Sequence, residues 1–407
     1  MPIFENKRII LFLGCLAIFF PGAFVFGFPG VMAAQWQAMF QVNKADIGQL
    51  MFFILIGSGS SMYLAGNLQE KFGSRTIIFT GSLVCSLAIF FVGHATSMAH
   101  VYVWAFVEGF FCGFVYIPCL TLFQRLFPEN RGLITGVVNL TFGGAAAVMS
   151  PVFTFFLVSK GYLSASNIAA AIALCVGTVA ALFVRLPKSM GEKRKNLVAT
   201  LSLKQTLHLA PFWYLWCVWA LAGASGISLI VLASSFGQHL GYGITQYVVI
   251  LTSFNILNGL GRLACGRLAD RYSKPHIMTG IFLMAAFAYA CMPFAHNLYM
   301  VSFLAGFVGL AFGGLFTVSA PLVTDVFGLE NFGRIFGLVF TAYGFLAGFL
   351  GPWLSGIILD ATNSNYRIVF WLFTLFYLIS SIFILKVRPF VLTPENLKCC
   401  IKTKITN

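Results

Sequence analysis

The chain has 407 residues, 59% of them hydrophobic and only 9% charged, with a formal net charge of +14. Soluble domains carry about 25% charged residues, and no water-soluble fold of this length hides so much apolar surface; a lipid bilayer is the solvent that suits it. The positive charge sits in short clusters between long apolar runs and forms no basic face, which argues against a nucleic-acid partner and fits the Lys and Arg bias of cytoplasmic loops in membrane proteins.

A spanning helix needs about 20 mostly apolar residues. The first such run covers 9–34, behind Lys7 and Arg8. It is too long for a secretory leader and lacks a convincing cleavage site, so it is expected to remain as a first span. Further runs lie near 46–66, 76–94, 100–127, 133–158 and 166–186, and again near 211–236, 245–266, 276–295, 299–326, 334–358 and 367–387. Between these two groups runs the polar stretch Pro187–His208, with Lys188, Lys193, Arg194, Lys195 and Lys204. The expectation is an all-α membrane protein of twelve transmembrane helices. It divides into a six-helix half over 1–186, a central loop over 187–208, a second six-helix half over 209–390 and a basic tail over 391–407.

Of the 25 Lys and Arg, only Lys44, Lys160 and Arg367 fall in loops on one side, and Arg262 falls inside a helix. The others share a side with both termini and the central loop, which is therefore expected to be cytoplasmic, most simply at a plasma (inner) membrane. Ten cysteines show no metal or disulfide spacing; eight lie within the predicted helices, and Cys399 and Cys400 in the tail are candidates for palmitoylation. The histidines lie at loops or helix ends, without ligand partners at metal spacing. No catalytic constellation, metal site or cofactor is expected. A Gly-x-x-x-x-Gly-Lys loop, which would cradle a nucleotide, is also missing.

The two groups of spans repeat. Gly66-Asn-Leu-Gln-Glu70-Lys71-Phe-Gly73-Ser-Arg75 follows the second span, and Gly266-Arg-Leu-Ala-Asp270-Arg271-Tyr-Ser273-Lys274 follows the eighth. The loops after spans four and ten echo each other as well, Phe127-Pro-Glu129-Asn-Arg131-Gly132 against Phe327-Gly-Leu-Glu330-Asn-Phe-Gly333-Arg334. Matching loops on one side imply halves related by an axis along the membrane normal. Physically, a glycine lets two helices approach closely, and an acid at a helix end with bases in the adjoining turn can pair with neighbouring helix ends and latch one conformation.

This loop motif resembles the signature of the major facilitator superfamily, and the resemblance covers the whole chain. The second copy departs from it at Ser273, where a glycine is expected, which implies a looser turn. A narrower resemblance, to the oxalate/formate antiporter and monocarboxylate transporter branch, rests on several stretches. These are Gly113-Phe-Val-Tyr116, Arg125-Leu-Phe-Pro128-Glu-Asn-Arg131-Gly132, Asn255-x-x-Asn258-Gly-Leu-Gly-Arg262-x-x-x-Gly266, Asp325-Val-Phe-Gly, Asn331-Phe-Gly and Gly351-Pro352. It implies a monomeric secondary transporter that moves a small anionic solute, with or without protons, by alternating access.

Arg262 is the sharpest single residue. A guanidinium stays protonated, so placing one inside a membrane is costly and points to a functional site with an anionic partner. Counting at 1.5 Å per residue puts Arg262 roughly 25 Å below the outer end of span eight, and Tyr116 at about the same depth in span four. The alternatives are that Arg262 snorkels to the inner surface, or that it pairs with Glu108, the other charge deep in a span, which lies roughly 12 Å down span four. Asn258, one turn before Arg262, can hold the guanidinium or touch substrate. The family resemblance implies an acid at position 258 in proton-coupled carriers, so its replacement by Asn leaves Glu108 as the proton-coupling candidate. The oxalate carriers are also expected to have a Lys where Val339 stands. One cation suits one carboxylate, so a monocarboxylate such as lactate, formate, acetate or pyruvate is favoured. Tyr116, Phe312, Phe316 and Phe336 match positions implied to line the substrate cavity. An exporter of amphipathic compounds, with those aromatics as a promiscuous pocket, is the alternative reading.

Overall fold

In the computed structural model the described residues are 6–42, 44–184 and 203–388. Cys399, Cys400 and the central-loop cations Lys188, Lys193, Arg194 and Lys195 lie outside them. Everything regular among the described residues is helical, as a bilayer requires, because only a helix satisfies each backbone N–H and C=O within one segment.

Nine helical runs among the described residues are long and apolar enough to cross a membrane. Two of these, over Lys44–Gly93 and from Arg131 onward, each contain a break at a glycine with positive φ, Gly73 (φ 81°) and Gly161 (φ 79°). Each break divides its run into two spans. Ile244–Ala269 is also of membrane length, though Asn255, Asn258 and Arg262 make it less apolar. The helices are thus enough for the twelve spans expected. Span one is Lys7–Phe26 and Phe28–Phe40, bent at Gly27 just before Pro29, which has no N–H to continue the ladder. Spans two and three are the parts of Lys44–Gly93, and span four is Met98–Leu126. Spans five and six are the parts of Arg131–Ala181. Spans seven to ten are Ala210–His239, Ile244–Ala269, Lys274–Cys291 and Leu298–Phe327. Span eleven starts as Phe332–Thr341, widens into the π-helical turns Ala342–Ala347 and Phe349–Trp353, and ends as Leu354–Ala361. Span twelve is Tyr366–Leu385.

Burial orders these spans. In the most apolar window of span four 78% of residues are buried, and in span ten 83%, against 39% in span twelve. Spans four and ten therefore form the centre, and span twelve faces lipid. The repeat seen in the loops extends into the packing. A methyl on Gly109 would sit 2.1 Å from the Ile54 carbonyl oxygen; 200 residues on, a methyl on Gly309 would sit 2.1 Å from that of Phe254. Each half thus docks its central helix on a neighbour through the same small-residue contact, where backbones can approach without side chains between them. Thr324 also donates a hydrogen bond to Gln124, its counterpart in the other half.

The halves meet along two seams. Span two packs on span eleven, with Gly66 against Gly333, Met62 against Gly337 and Gly59 against Gly344. Span five packs on span eight, with Gly132 against Gly266 and Gly136 against the Arg262 carbonyl.

Candidate functional site

The seams are closed on the face that carries the described ends of the chain. Glu70 pairs with Arg334 across the first seam, 2.5 Å between Oε2 and Nη2. In the second seam the Asp270 carboxylate accepts from the backbone N–H groups of Gly132 (2.6 Å) and Leu133 (2.9 Å). These are free donors at the start of span five, so the acid caps a helix belonging to the other half. Arg131 lies 3.9 Å from Asp325, which Lys274 holds at 2.6 Å, and Arg267 donates to Asn130. Gly66 and Gly266 let the paired backbones touch: a methyl on either would lie within 2.5 Å of backbone atoms in the other half. Lys71, Arg75 and Arg271 are exposed and form no ion pair among the described residues.

The turns of the two motifs differ at positions 73 and 273. Gly73 takes a left-handed φ of 81°, which a side chain rarely tolerates, whereas Ser273 takes φ −61° at the start of span nine. Its hydroxyl lies 2.8 Å from His276 Nδ1.

Deeper in the second seam sits Arg262, only 7% exposed. Its Nε donates to Asn258 Oδ1 at 3.1 Å, and its Nη1 donates to the Asn139 carbonyl of span five. The guanidinium therefore reaches across to the other half and does not snorkel to a surface. Gly143 makes this possible: a methyl there would lie 2.3 Å from Nη1 and 2.8 Å from Cζ, so the planar group rests on bare backbone. The Phe316 ring is 5.6 Å from Cζ, within cation–π range. Of the five guanidinium N–H groups, three remain on Nη1 and Nη2, an edge of the fork that matches a carboxylate. Among the described residues no carboxylate pairs with it.

Asn139 joins the neighbouring groups. It accepts from the Tyr116 hydroxyl at 2.6 Å and donates to the Phe316 carbonyl at 3.3 Å. Tyr116, Asn258, Phe316 and Arg262 are thus brought to one place. Phe312 stacks edge-on to Phe316 (5.1 Å), while Phe336 lies further down, among Phe332, Trp219 and Phe340. Glu108 stands apart. It is wholly buried in the first half, and its carboxyl oxygens accept no hydrogen bond among the described residues. The Cys85 thiol approaches its backbone carbonyl at 3.9 Å.

Several members of the site were not singled out from sequence: Asn139, Trp219, Phe340, Tyr343 and Phe142, whose ring lies 5.2 Å from that of Tyr116. Asn139 had a signal, an amide inside an apolar span, like Asn258. Phe340 and Tyr343 follow Phe336 at i+4 and i+7 and so share its helix face. Trp219 had none, since its partners Phe316, Phe336, Phe340 and Tyr343 come from other spans.

The Gly143 contact carries a prediction. Gly143→Ala is expected to leave the fold intact, because the clashing atoms are the far end of a flexible side chain. On the proposal that this fork holds a carboxylate, pushing the guanidinium off span five should weaken binding by up to about a hundredfold, the order that misplacing a positioned group by about 1 Å can cost. Calorimetric titration checks this, and unchanged affinity would remove the guanidinium from the site.

Comparison with known proteins agrees with this architecture. The Major Facilitator Superfamily family model matches residues 10–274 and 224–398. An uncharacterized MFS-type transporter of Escherichia coli is 26% identical over 78% of this chain and 79% of its own. The oxalate:formate antiporter of Oxalobacter formigenes is 24% identical over 75% and 73%, and monocarboxylate transporter 13 of Rattus norvegicus 25% identical over 87% and 83%. Among solved structures, the transporter FucP in the outward conformation superposes with a TM-score of 0.71 over 95% of this chain and 100% of its own, at 15% identity.

Proposed function

Because this chain belongs to the Major Facilitator Superfamily, we propose that it is a secondary carrier for a small organic anion, a monocarboxylate such as lactate, formate, acetate or pyruvate. The observation that carries this reading is Arg262: a buried cation in the seam between the halves, with no acidic partner among the described residues and one edge of its fork unused. Leaving such a charge unpaired in a low-dielectric site is costly, and an anionic substrate relieves the cost. That the named relatives include an oxalate:formate antiporter and monocarboxylate transporters supports the same class.

Where the contacts lie supports alternating access. The ion pairs and the helix cap between the halves sit on the termini side of Arg262. The carrier is then shut on that side, and the loop charges support taking it as the cytoplasmic one. Carboxylate binding at Arg262 engages both halves, through Asn258 of span eight and Asn139 of span five, so it can bias their rocking. Coupling is either to a proton, with Glu108 as its carrier, or to a counter-anion. The same proposal takes the protein as a monomer in the lipid of a plasma membrane.

The test is a thermal-shift screen of the purified protein against organic acids, followed by liposome uptake of radiolabelled lactate and formate with and without a pH gradient. Stabilisation by monocarboxylates and saturable uptake are expected. Stabilisation only by neutral or cationic amphiphiles would favour the exporter reading, which the aromatic lining around Phe316 otherwise supports.

A further inference from the structure

We propose that Tyr343 is the residue by which this site tells 2-hydroxy and 2-oxo acids from unsubstituted ones. The assignment rests on the carboxylate reading above. Tyr343 lies on the π-helical turn Ala342–Ala347 of span eleven; π-turns inside α-helices are frequent at functional sites. Its ring is held from several sides, by Phe316 at 5.3 Å, Phe340 at 5.3 Å, Trp219 at 5.9 Å and Phe312 at 6.3 Å. Gly223 of span seven gives it room, since a methyl there would come within 2.9 Å of the ring. The neighbouring Gly344 packs on the Gly59 backbone of span two, so the ring stands beside a contact between the halves.

The hydroxyl is the unusual part. Tyr116, Tyr162 and Tyr289 each spend theirs on a protein acceptor, namely Asn139, the Val92 carbonyl and the Ser225 carbonyl. The Tyr377 hydroxyl is unpaired but sealed from solvent. The Tyr343 hydroxyl makes no hydrogen bond among the described residues, yet it is not one of the sealed polar atoms. The residue is 5% exposed, so what accessible surface it has includes that oxygen. Tyr343 and Arg262 flank the same Phe316 ring, at 5.3 Å between ring centroids and 5.6 Å from Cζ to the centroid. A carboxylate on the free edge of Arg262 uses up the guanidinium donors. The substituent on its C2 then needs a separate partner, and a phenol can donate to a keto oxygen and either donate to or accept from a hydroxyl.

The test compares lactate with propionate, which differ only by the 2-hydroxyl, binding to the purified full-length protein and to Tyr343→Phe. The phenylalanine keeps the ring packing and removes one oxygen. Wild type should prefer lactate, and Tyr343→Phe should lower lactate affinity about fivefold, the order expected for one neutral hydrogen bond. Propionate affinity should stay within about twofold. Tyr377→Phe, which removes the sealed hydroxyl instead, should leave the lactate-to-propionate ratio unchanged. Equal losses for both acids in Tyr343→Phe, or no loss for either, overturn the assignment alone. Failure of wild type to bind either acid overturns the carboxylate reading, and the assignment with it.

Discussion

Arg262→Ala is expected to cut monocarboxylate uptake by about 30-fold to several thousand-fold, while the protein still folds and purifies. The range follows from the 2–5 kcal/mol typically lost when one member of a buried, hydrogen-bonded charge pair is removed, at a factor of ten for each 1.36 kcal/mol. Folding should survive because the residue gives its own protein little. Its charge is buried without an anion among the described residues, and its two hydrogen bonds go to Asn258 and the Asn139 carbonyl. A buried cation of this kind is a net cost to the empty carrier. The melting temperature without ligand is therefore expected to hold or rise, and the upward shift caused by a carboxylate should vanish. Arg262→Lys should recover only part of the activity. An ammonium keeps the charge, but it cannot serve Asn258, Asn139 and a bidentate carboxylate together. Undiminished lactate and formate uptake by Arg262→Ala would sink the proposed function.

The second large effect concerns the closed face. Asp270→Ala removes a carboxylate that accepts two backbone N–H groups at the start of a helix in the other half. Hydrogen bonds to a charged group contribute about 1.5–3 kcal/mol each. Losing both, roughly 3 kcal/mol or more, changes the ratio of closed to open forms more than a hundredfold. Spin labels at the exposed positions 129 and 330 would report it as a longer distance across that face. Glu70→Ala should act in the same direction but more weakly. The Glu70–Arg334 pair is about one-third exposed on each side, and ion pairs screened by solvent are worth at most about 1 kcal/mol. Equal effects of the two variants would refute the distinction drawn between a helix cap and a surface pair.

That distinction shows where sequence reading ends. The two motif copies are visible as strings, Gly66 to Arg75 and Gly266 to Lys274, because a repeat needs no coordinates. Which partner each acid takes is not visible. Glu70 finds a side chain, Arg334, and Asp270 finds bare backbone at Gly132 and Leu133. Both partners lie more than 130 residues away and depend on how span two sits on span eleven and span five on span eight. The bases Lys71, Arg75 and Arg271 look equivalent to Arg334 in composition, yet they point into solvent.

Arg262 follows the same division. By itself the sequence determined that the chain is a helical membrane protein with a repeated frame, and that one guanidinium stands inside it. Apolar periodicity, loop charge and residue type are local properties, and the bilayer makes them decisive. The repeat even places Met62 at the position equivalent to Arg262, and the structure shows both packing on glycines of the opposite half, Gly337 and Gly136. Only the tertiary structure decided what the guanidinium does there. Gly143 lacks a side chain where the fork must lie, Asn139 turns its carbonyl to it, and Phe316 and Tyr343 arrive from spans ten and eleven. Those contacts join helices distant in sequence, and their geometry is set by how closely backbones approach, which no local pattern of residues encodes.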